Sequence, residues 1–176
     1  MLWHKCALFF LNIILLSLFQ VAQATNSKFT EDTLQNEILS HINQYRKQHH
    51  LPMLQMNSYM VKEAKQHSID MATHKIPFGH QYFIKRINRL NAQIKNSGGG
   101  AENVAYNYKD AEDVVNNWLR SPGHKRNIDG NYDLTGVGVA YDKKGQIYFT
   151  QIFLKTGKKN LQKRKSVTTM FNHSFF

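Results

Sequence analysis

The chain has 176 residues, of which 41% are hydrophobic and 12% aromatic, with a formal net charge of +11 at pH 7 and one cysteine. A chain of this length forms one domain with short ends, and its core is large enough to fold without disulfides or a structural metal. The single cysteine excludes an internal disulfide framework and a zinc site built from several thiolates.

The first residues have the pattern of a secretory signal peptide. Lys5 precedes an apolar run over residues 7–19, and Ala22-Gln23-Ala24 is a small-x-small cleavage site. The run contains Asn12 and is shorter than the roughly 20 residues that span a bilayer. We therefore predict cleavage; an uncleaved signal anchor is the alternative.

Cleavage defines the domain organisation and the compartment. It would remove Cys6, so the exported protein would carry no thiol. We predict a secreted protein, either periplasmic or extracellular. The predicted segments are a signal peptide over 1–24, a linker over 25–33, a domain over 34–155 and a basic tail over 156–176.

The positive charge is concentrated at the C-terminus. Without Lys5 the net charge is +10, and six of these charges lie between Lys155 and Lys165, with no acidic residue from there to the end. We expect this tail to be disordered and to make weak contacts with anionic surfaces, which salt screens over about 8 Å. The pattern does not indicate specific recognition of nucleic acid.

Three stretches in the first half have the periodicity of amphipathic helices. Residues 31–49 place apolar side chains at steps of three and four. Residues 58–73 carry a second stripe after the capping candidates Asn57 and Ser58. A third, shorter helix is predicted over 82–92.

Glycine and proline mark the predicted boundaries that follow. Gly98-Gly99-Gly100 predicts a flexible loop. Asp110 is a candidate N-cap for a helix that we expect to stop at Pro122-Gly123. That boundary would place His124 just past the end of a helix.

The C-terminal part of the domain has the pattern of a β-hairpin. Residues 137–141 alternate toward a turn at 142–145, and residues 147–154 run back rich in aromatic and β-branched side chains. With a short strand near 104–107, this gives an antiparallel sheet of at least three strands. The order of elements predicts an α+β fold, a three-layer α-β-α sandwich with a central, mainly antiparallel sheet.

A series of short motifs runs through residues 34–154. They are Phe78-Gly79-His80, Glu102-Asn103-Val104-Ala105, Trp118, Ser121-Pro122-Gly123-His124-Lys125-Arg126-Asn127-Ile128, Gly136-Val137-Gly138 and Thr150-Gln151-Ile152-Phe153. In this order they resemble the CAP superfamily of cysteine-rich secretory, antigen 5 and pathogenesis-related 1 proteins, and in particular its short bacterial branch. The resemblance implies the same sandwich, the CAP/SCP fold. It implies much less about activity, because a fold does not fix a reaction.

The resemblance also implies a central cleft that contains His80, Glu102 and His124. Two imidazoles and one carboxylate are the ligands of an open zinc site, so the cleft could hold Zn²⁺ or another divalent cation. The spacing alone does not predict this, because 22-residue gaps form no local metal motif. The supporting positions in the matched motifs are Asn103, Ser121 and Gln151.

The same positions have structural interpretations. Glu102 could accept backbone amides of the glycine segment, Asn103 could tie the strand to a neighbouring loop, and Trp118 could serve only the core. Ser121 could pair with His124 as nucleophile and base, although no third, orienting group is evident. Larger relatives usually have a second acid at the position of Ser121, so a pair of catalytic carboxylates is in doubt here.

Three functions are compatible with these features. The first is a non-catalytic binding module for an extracellular ligand or protein, with a cleft that a divalent metal modulates; lipids, including sterols, are implied as ligands only by eukaryotic relatives. The second is a metal-dependent hydrolase that uses the same cleft. The third is adhesion to an anionic envelope surface through the basic tail.

Overall fold

The computed structural model describes residues 31–157. The predicted signal peptide at 1–24, most of the linker and the tail beyond residue 157 lie outside the described residues. Within residues 31–157, no helix is long and apolar enough to cross a membrane.

Three helices form in the first half of the described chain, close to the predicted positions. Helix α1 covers residues 31–48, and its apolar stripe is buried. Helix α2 spans Ser58–Ala72 and begins at Asn57, whose side chain accepts the backbone N–H groups of the second and third residues after it. Helix α3 spans Phe83–Gln93. The three predicted helices are confirmed to within about two residues at their ends.

The central sheet has four strands in the order β1-β3-β4-β2. Strand β4 pairs antiparallel with both β3 and β2, whereas the short β1 pairs parallel with β3. The prediction of a mainly antiparallel sheet is confirmed, and β2 is one of its two edges. The strands are β1 (Gln55–Met56), β2 (Ser97–Tyr106), β3 (Leu134–Tyr141) and β4 (Ile147–Thr156).

The glycine segment predicted as a loop is instead the first part of β2, and that prediction is wrong. It pairs with the end of β4, with a register shift between Gly98 and Gly100. Gly99 has a φ of +63°, and a Cβ on Gly100 would lie 2.7 Å from Ile87 of α3. The glycines therefore form a bulge in a paired strand that α3 approaches closely.

Two further helices follow β2. Helix α4 spans Ala111–Arg120, and Asp110 caps it by accepting the backbone N–H three residues on, as predicted. Helix α4 ends just before Pro122, as predicted, but this proline is also the first residue of a helix that was not predicted, α5, Pro122–Asp129. Proline suits that position because its missing N–H would have no partner there. His124 thus lies in the first turn of a helix.

The helices cover both faces of the sheet. Helix α2 packs on β3 and β4, and α3 packs on β2. On the opposite face, Ile38 of α1, Trp118 of α4 and Ile128 of α5 share a core with Phe149 and Phe153 of β4. The predicted α+β class and three-layer α-β-α sandwich are confirmed.

Helix α2 lies unusually close to β3. A Cβ on Gly138 would lie 2.1 Å from the backbone nitrogen of Lys65 and 2.2 Å from the carbonyl carbon of Ala64. A Cβ on Gly136 would lie 2.2 Å from the carbonyl carbon of Met60. Backbone atoms cannot move away as the end of a flexible side chain can, so a side chain at either position would push the helix off the strand. The short distance between α2 and β3 therefore requires these two glycines.

One charged side chain is completely buried under α1. Arg46 is 0% exposed and donates hydrogen bonds to four backbone carbonyls, those of Pro52, Ile128, Gly130 and Tyr132. Burial lowers the pKa of its guanidinium. Arg46 thereby ties the end of α1 to the segment that links α5 to β3.

Candidate functional site

A cleft of about 680 Å³ runs along the free edge of β2. One wall is the segment between α2 and α3, which contributes Phe78 and His80, and the other is the junction of α4 and α5, which contributes Ser121 and His124. Residues 104–106 of β2 lie between the two walls. The cleft thus straddles the sheet edge, and its volume is typical of a site for a small ligand or a short chain segment.

Glu102 is not a free carboxylate. Its side chain is 1% exposed and accepts two hydrogen bonds from Arg86, from Nε at 2.9 Å and from Nη2 at 2.7 Å. It also accepts a hydrogen bond from Nδ1 of His80 at 3.0 Å. The guanidinium therefore compensates the carboxylate charge, and the imidazole is held by Nδ1 with its Nε2 left for the cleft.

His67 holds the segment that carries His80. Its Nε2 donates to the carbonyl oxygen of Gly79 at 2.8 Å, and Gly79 has a φ of +140°, which side chains rarely adopt. Burial lowers the pKa of His67, and the charge of Arg86 acts in the same direction, although Glu102 opposes them. The ring is therefore neutral at pH 7, and its buried Nδ1 has no hydrogen-bond partner among residues 31–157.

His124 is fixed by contacts between α5 and β2. Burial lowers the pKa of its imidazole, and the nearby His80 lowers it further, so His124 is neutral at pH 7. Its carbonyl oxygen accepts a hydrogen bond from Nδ2 of Asn103 at 3.2 Å. Asn127 donates in turn to Oδ1 of Asn103 at 2.8 Å and to the backbone carbonyl of Glu102 at 3.2 Å. Amide side chains thus hold the second imidazole beside the strand.

The remaining predicted positions differ in their relation to the cleft. Ser121 lines it at the α4–α5 junction, and Trp118 lines it from the core, with its ring centroid 6.5 Å from that of His124. Gln151 does not line it: this side chain is 0% exposed and its Nε2 donates to Oγ1 of Thr135 at 3.1 Å. Gln151 therefore belongs to the sheet core.

The predicted three-ligand metal set does not fit this geometry. Glu102 is engaged by Arg86, it does not line the cleft, and residues 31–157 contain no group of three His, Cys, Asp or Glu side chains that could hold a metal ion. The donors of the predicted set that do line the cleft are the imidazole nitrogens of His80 and His124. Glu102 would then orient one ligand instead of binding the cation.

Sequence reasoning missed three side chains that shape the site. Arg86 lies on α3 and His67 on α2, and a single polar residue in a helix gives no sign of a distant partner. Asn127 belongs to the motif at residues 121–128, but the motif did not indicate a role for it. Arg86 sits among other basic residues of α3 and looks like part of a solvated face. The 4% exposure of Arg86 contradicts that interpretation, but this burial is visible only in the structure.

Comparison with known proteins agrees with this architecture. The family model described as "CAP: Cysteine-rich secretory protein family" matches residues 39–153. The chain therefore belongs to the CAP family. Its single cysteine, Cys6, lies outside the matched segment, so in this member packing holds the sandwich together without disulfides.

Two curated relatives come from Bacillus subtilis. The uncharacterised membrane protein YlbC is 33% identical over 130 residues, which are 73% of this chain and 36% of YlbC. The uncharacterised protein YkwD is 29% identical over 136 residues, 74% of this chain and 50% of YkwD. The chain thus spans between about a third and a half of the length of these relatives.

Solved structures show the same fold. An extracellular protein of Bacillus anthracis that contains an SCP domain is 25% identical, with a TM-score of 0.60 over 72% of this chain and 41% of the other. An outer surface protein of Borrelia burgdorferi is 24% identical, with a TM-score of 0.59 over 68% of this chain and 90% of the other.

Proposed function

We propose that this chain is an exported, non-catalytic binding module whose cleft along β2 recognises an extracellular ligand. The observation that carries the proposal is the buried, bidentate ion pair between Arg86 and Glu102. It neutralises the carboxylate that contacts His80, and no Asp or Glu is among the residues that line the cleft within 31–157.

A hydrolase would need more than this site offers. His80 and Glu102 have the arrangement of a general base and its orienting acid, 3.0 Å apart. The negative charge of Glu102 is already compensated by Arg86, however, so it gives little stabilisation to an imidazolium at His80. Chemistry with paired carboxylates requires a second acid, and Ser121 stands at its position in this chain.

Export and metal modulation form part of the same proposal. The signal-peptide pattern at 1–24 supports export, and two similar proteins of known structure are an outer surface protein and an extracellular protein. His80 and His124 would hold a divalent cation, with Glu102 orienting His80. Such a cation would offer a coordination position to an oxygen atom of the ligand.

The test is a binding screen with a blocked-cleft control. Small-molecule fragments are titrated into the ¹⁵N-labelled chain, and we expect amide shifts at Tyr106, Ser121 and His124. Ser121→Tyr fills the cleft from its rim and should abolish these shifts, whereas Asn116→Tyr, on the exposed side of α4, should retain them. Shifts that survive Ser121→Tyr would place binding elsewhere.

Turnover separates this proposal from the hydrolase. The chain is incubated with chromogenic esters, peptides and phosphodiesters, with and without Zn²⁺. We expect rates equal to those of the His80→Ala/His124→Ala double variant. Turnover that this double variant loses would reject a non-catalytic cleft.

A further inference from the structure

The backbone of β2 presents hydrogen-bonding groups to the cleft. The N–H of Asn107, one residue beyond the strand, donates to the carbonyl of Ile147 on the β4 side. Because N–H and C=O groups alternate direction along an antiparallel strand, the groups of Glu102, Val104 and Tyr106 face away from β4. These three residues define the free edge of the sheet on this side.

Only the first part of this edge is covered. The carbonyl of Glu102 accepts its hydrogen bond from Asn127 of α5. Within residues 31–157, no hydrogen bond pairs the outward N–H and C=O groups of Val104 or Tyr106. Val104 is 5% exposed and lines the cleft, so the cleft is the route by which a partner could reach its backbone.

The unpaired groups have the spacing of a strand. Outward donors and acceptors at Val104 and Tyr106 repeat every two residues, about 6.6 Å along the chain. A small ligand can satisfy one such group, whereas an extended peptide satisfies all of them in register. A strand edge with unpaired N–H and C=O groups is a template for pairing with a further strand.

The side chains around this edge define the chemistry of the occupant. Phe78 and Tyr106 are 48% and 46% exposed, with ring centroids 4.8 Å apart, and they offer an apolar contact surface. The cleft is lined by no acidic residue, and Arg120 is its one lining Lys or Arg among residues 31–157. These features favour a segment rich in apolar residues and disfavour a basic one.

We propose that the cleft binds an extended, apolar polypeptide segment, which adds to β2 as a fifth strand by pairing with Val104 and Tyr106. This inference rests on the proposed function and names the ligand class of the same cleft. A lipid chain or a second copy of this chain would be a different occupant, and the experiment distinguishes both.

The experiment pairs two substitutions at one position. Tyr106→Ala removes the ring but keeps the outward N–H, whereas Tyr106→Pro also removes that N–H; proline is tolerated at an edge because no bond to β4 is lost. The probe is a synthetic library of peptides of about seven residues, with Val, Leu, Thr or Phe at each position. Binding of the fluorescently labelled peptides to the purified chain is measured by anisotropy.

We expect Tyr106→Pro to bind the selected peptides about tenfold more weakly than Tyr106→Ala, because one main-chain hydrogen bond is lost and the proline ring occupies its place. In the wild type, N-methylation of the peptide should weaken binding at alternate residues only. The methylation scan needs no variant, so the test stands even if Tyr106→Pro fails to fold.

Several results would overturn the inference. Equal losses in Tyr106→Ala and Tyr106→Pro, or binding that is insensitive to N-methylation, would mean recognition by side chains alone. Tighter binding of fatty acids than of any peptide would indicate a lipid site, and concentration-dependent protection of the Val104 and Tyr106 amides without peptide would indicate a second copy. If no peptide binds below about 1 mM while fragments still shift the cleft amides, the strand inference fails and the proposed function survives.

Discussion

Replacing Arg86 by Met should strongly destabilise the domain. The substitution keeps an unbranched side chain of similar reach in a site that is 4% exposed. It leaves the carboxylate of Glu102, 1% exposed, with His80 as its remaining hydrogen-bond partner and no guanidinium. Removing one member of a buried ion pair typically costs about 3–5 kcal/mol. For a domain of this size, that corresponds to a melting temperature lower by about 6–20 °C.

The free energy of unfolding is measured by urea denaturation at pH 7 for Arg86→Met and for three further variants, one of which, Glu102→Met, completes the double-mutant cycle. Arg86→Met/Glu102→Met removes both charges and should lose less than Arg86→Met alone. Arg89→Met, one turn further along α3, breaks the similarly bidentate but exposed pair with Glu63. Exposed pairs contribute little, so this control should lose less than about 1 kcal/mol.

Two results would refute the reasoning. A loss below about 1 kcal/mol in Arg86→Met would mean that water reaches Glu102 and compensates its charge. Additive effects of the two Met substitutions would mean that the carboxylate and guanidinium do not stabilise each other. Either result would also remove the main argument against Glu102 as a catalytic acid or base.

Three further predictions follow from the fold and the cleft. Gly138→Ala should cost about 3 kcal/mol or more in urea denaturation because its Cβ would clash with the backbone of α2, whereas Gly123→Ala, with nothing within 4 Å, should not destabilise; equal effects would contradict the close approach. Burial lowers the pKa of His67, so the stability that its neutral ring contributes is present above the ordinary pKa near 6.5 and is lost as the pH falls through the lowered value. His67→Gln should therefore flatten the decline in unfolding free energy between about pH 7 and pH 5. An unchanged slope would contradict this. In calorimetric titration, Zn²⁺ should bind once per chain and lose this binding in His80→Ala and in His124→Ala alike; retention in either variant would exclude the two-imidazole site.

Local signals in the sequence were sufficient for most of the elements. Asn57 and Asp110 each mark a helix start because a short polar side chain satisfies the free N–H groups there, and this interaction is contained within a few residues. The hairpin of β3 and β4 was equally predictable, since alternation and turn residues are local too.

Errors arose where distant residues decide the local structure. Gly98 to Gly100 favour a loop by themselves, yet β4 and α3 hold them in a bulged strand. Pro122 ends one helix and is compatible with starting another, so its sequence signal is ambiguous.

The candidate site was predictable only in part. The motifs pointed to His80 and His124, and both line the cleft. The partner of Glu102 could not be found, because the ion pair joins residues 16 positions apart on separate elements and no short pattern describes it. That partner decides whether the carboxylate is available for chemistry.

The buried guanidinium of Arg46 makes the two ends of the domain interdependent. It reaches carbonyls 82 to 86 positions further along the chain, and separating α1 from them would break these three hydrogen bonds and leave a buried cation without them. Fraying or proteolytic trimming therefore cannot remove helix α1 without affecting the rest of the domain. Its detachment would open the segment before β3 as well, so both regions unfold as a single cooperative unit.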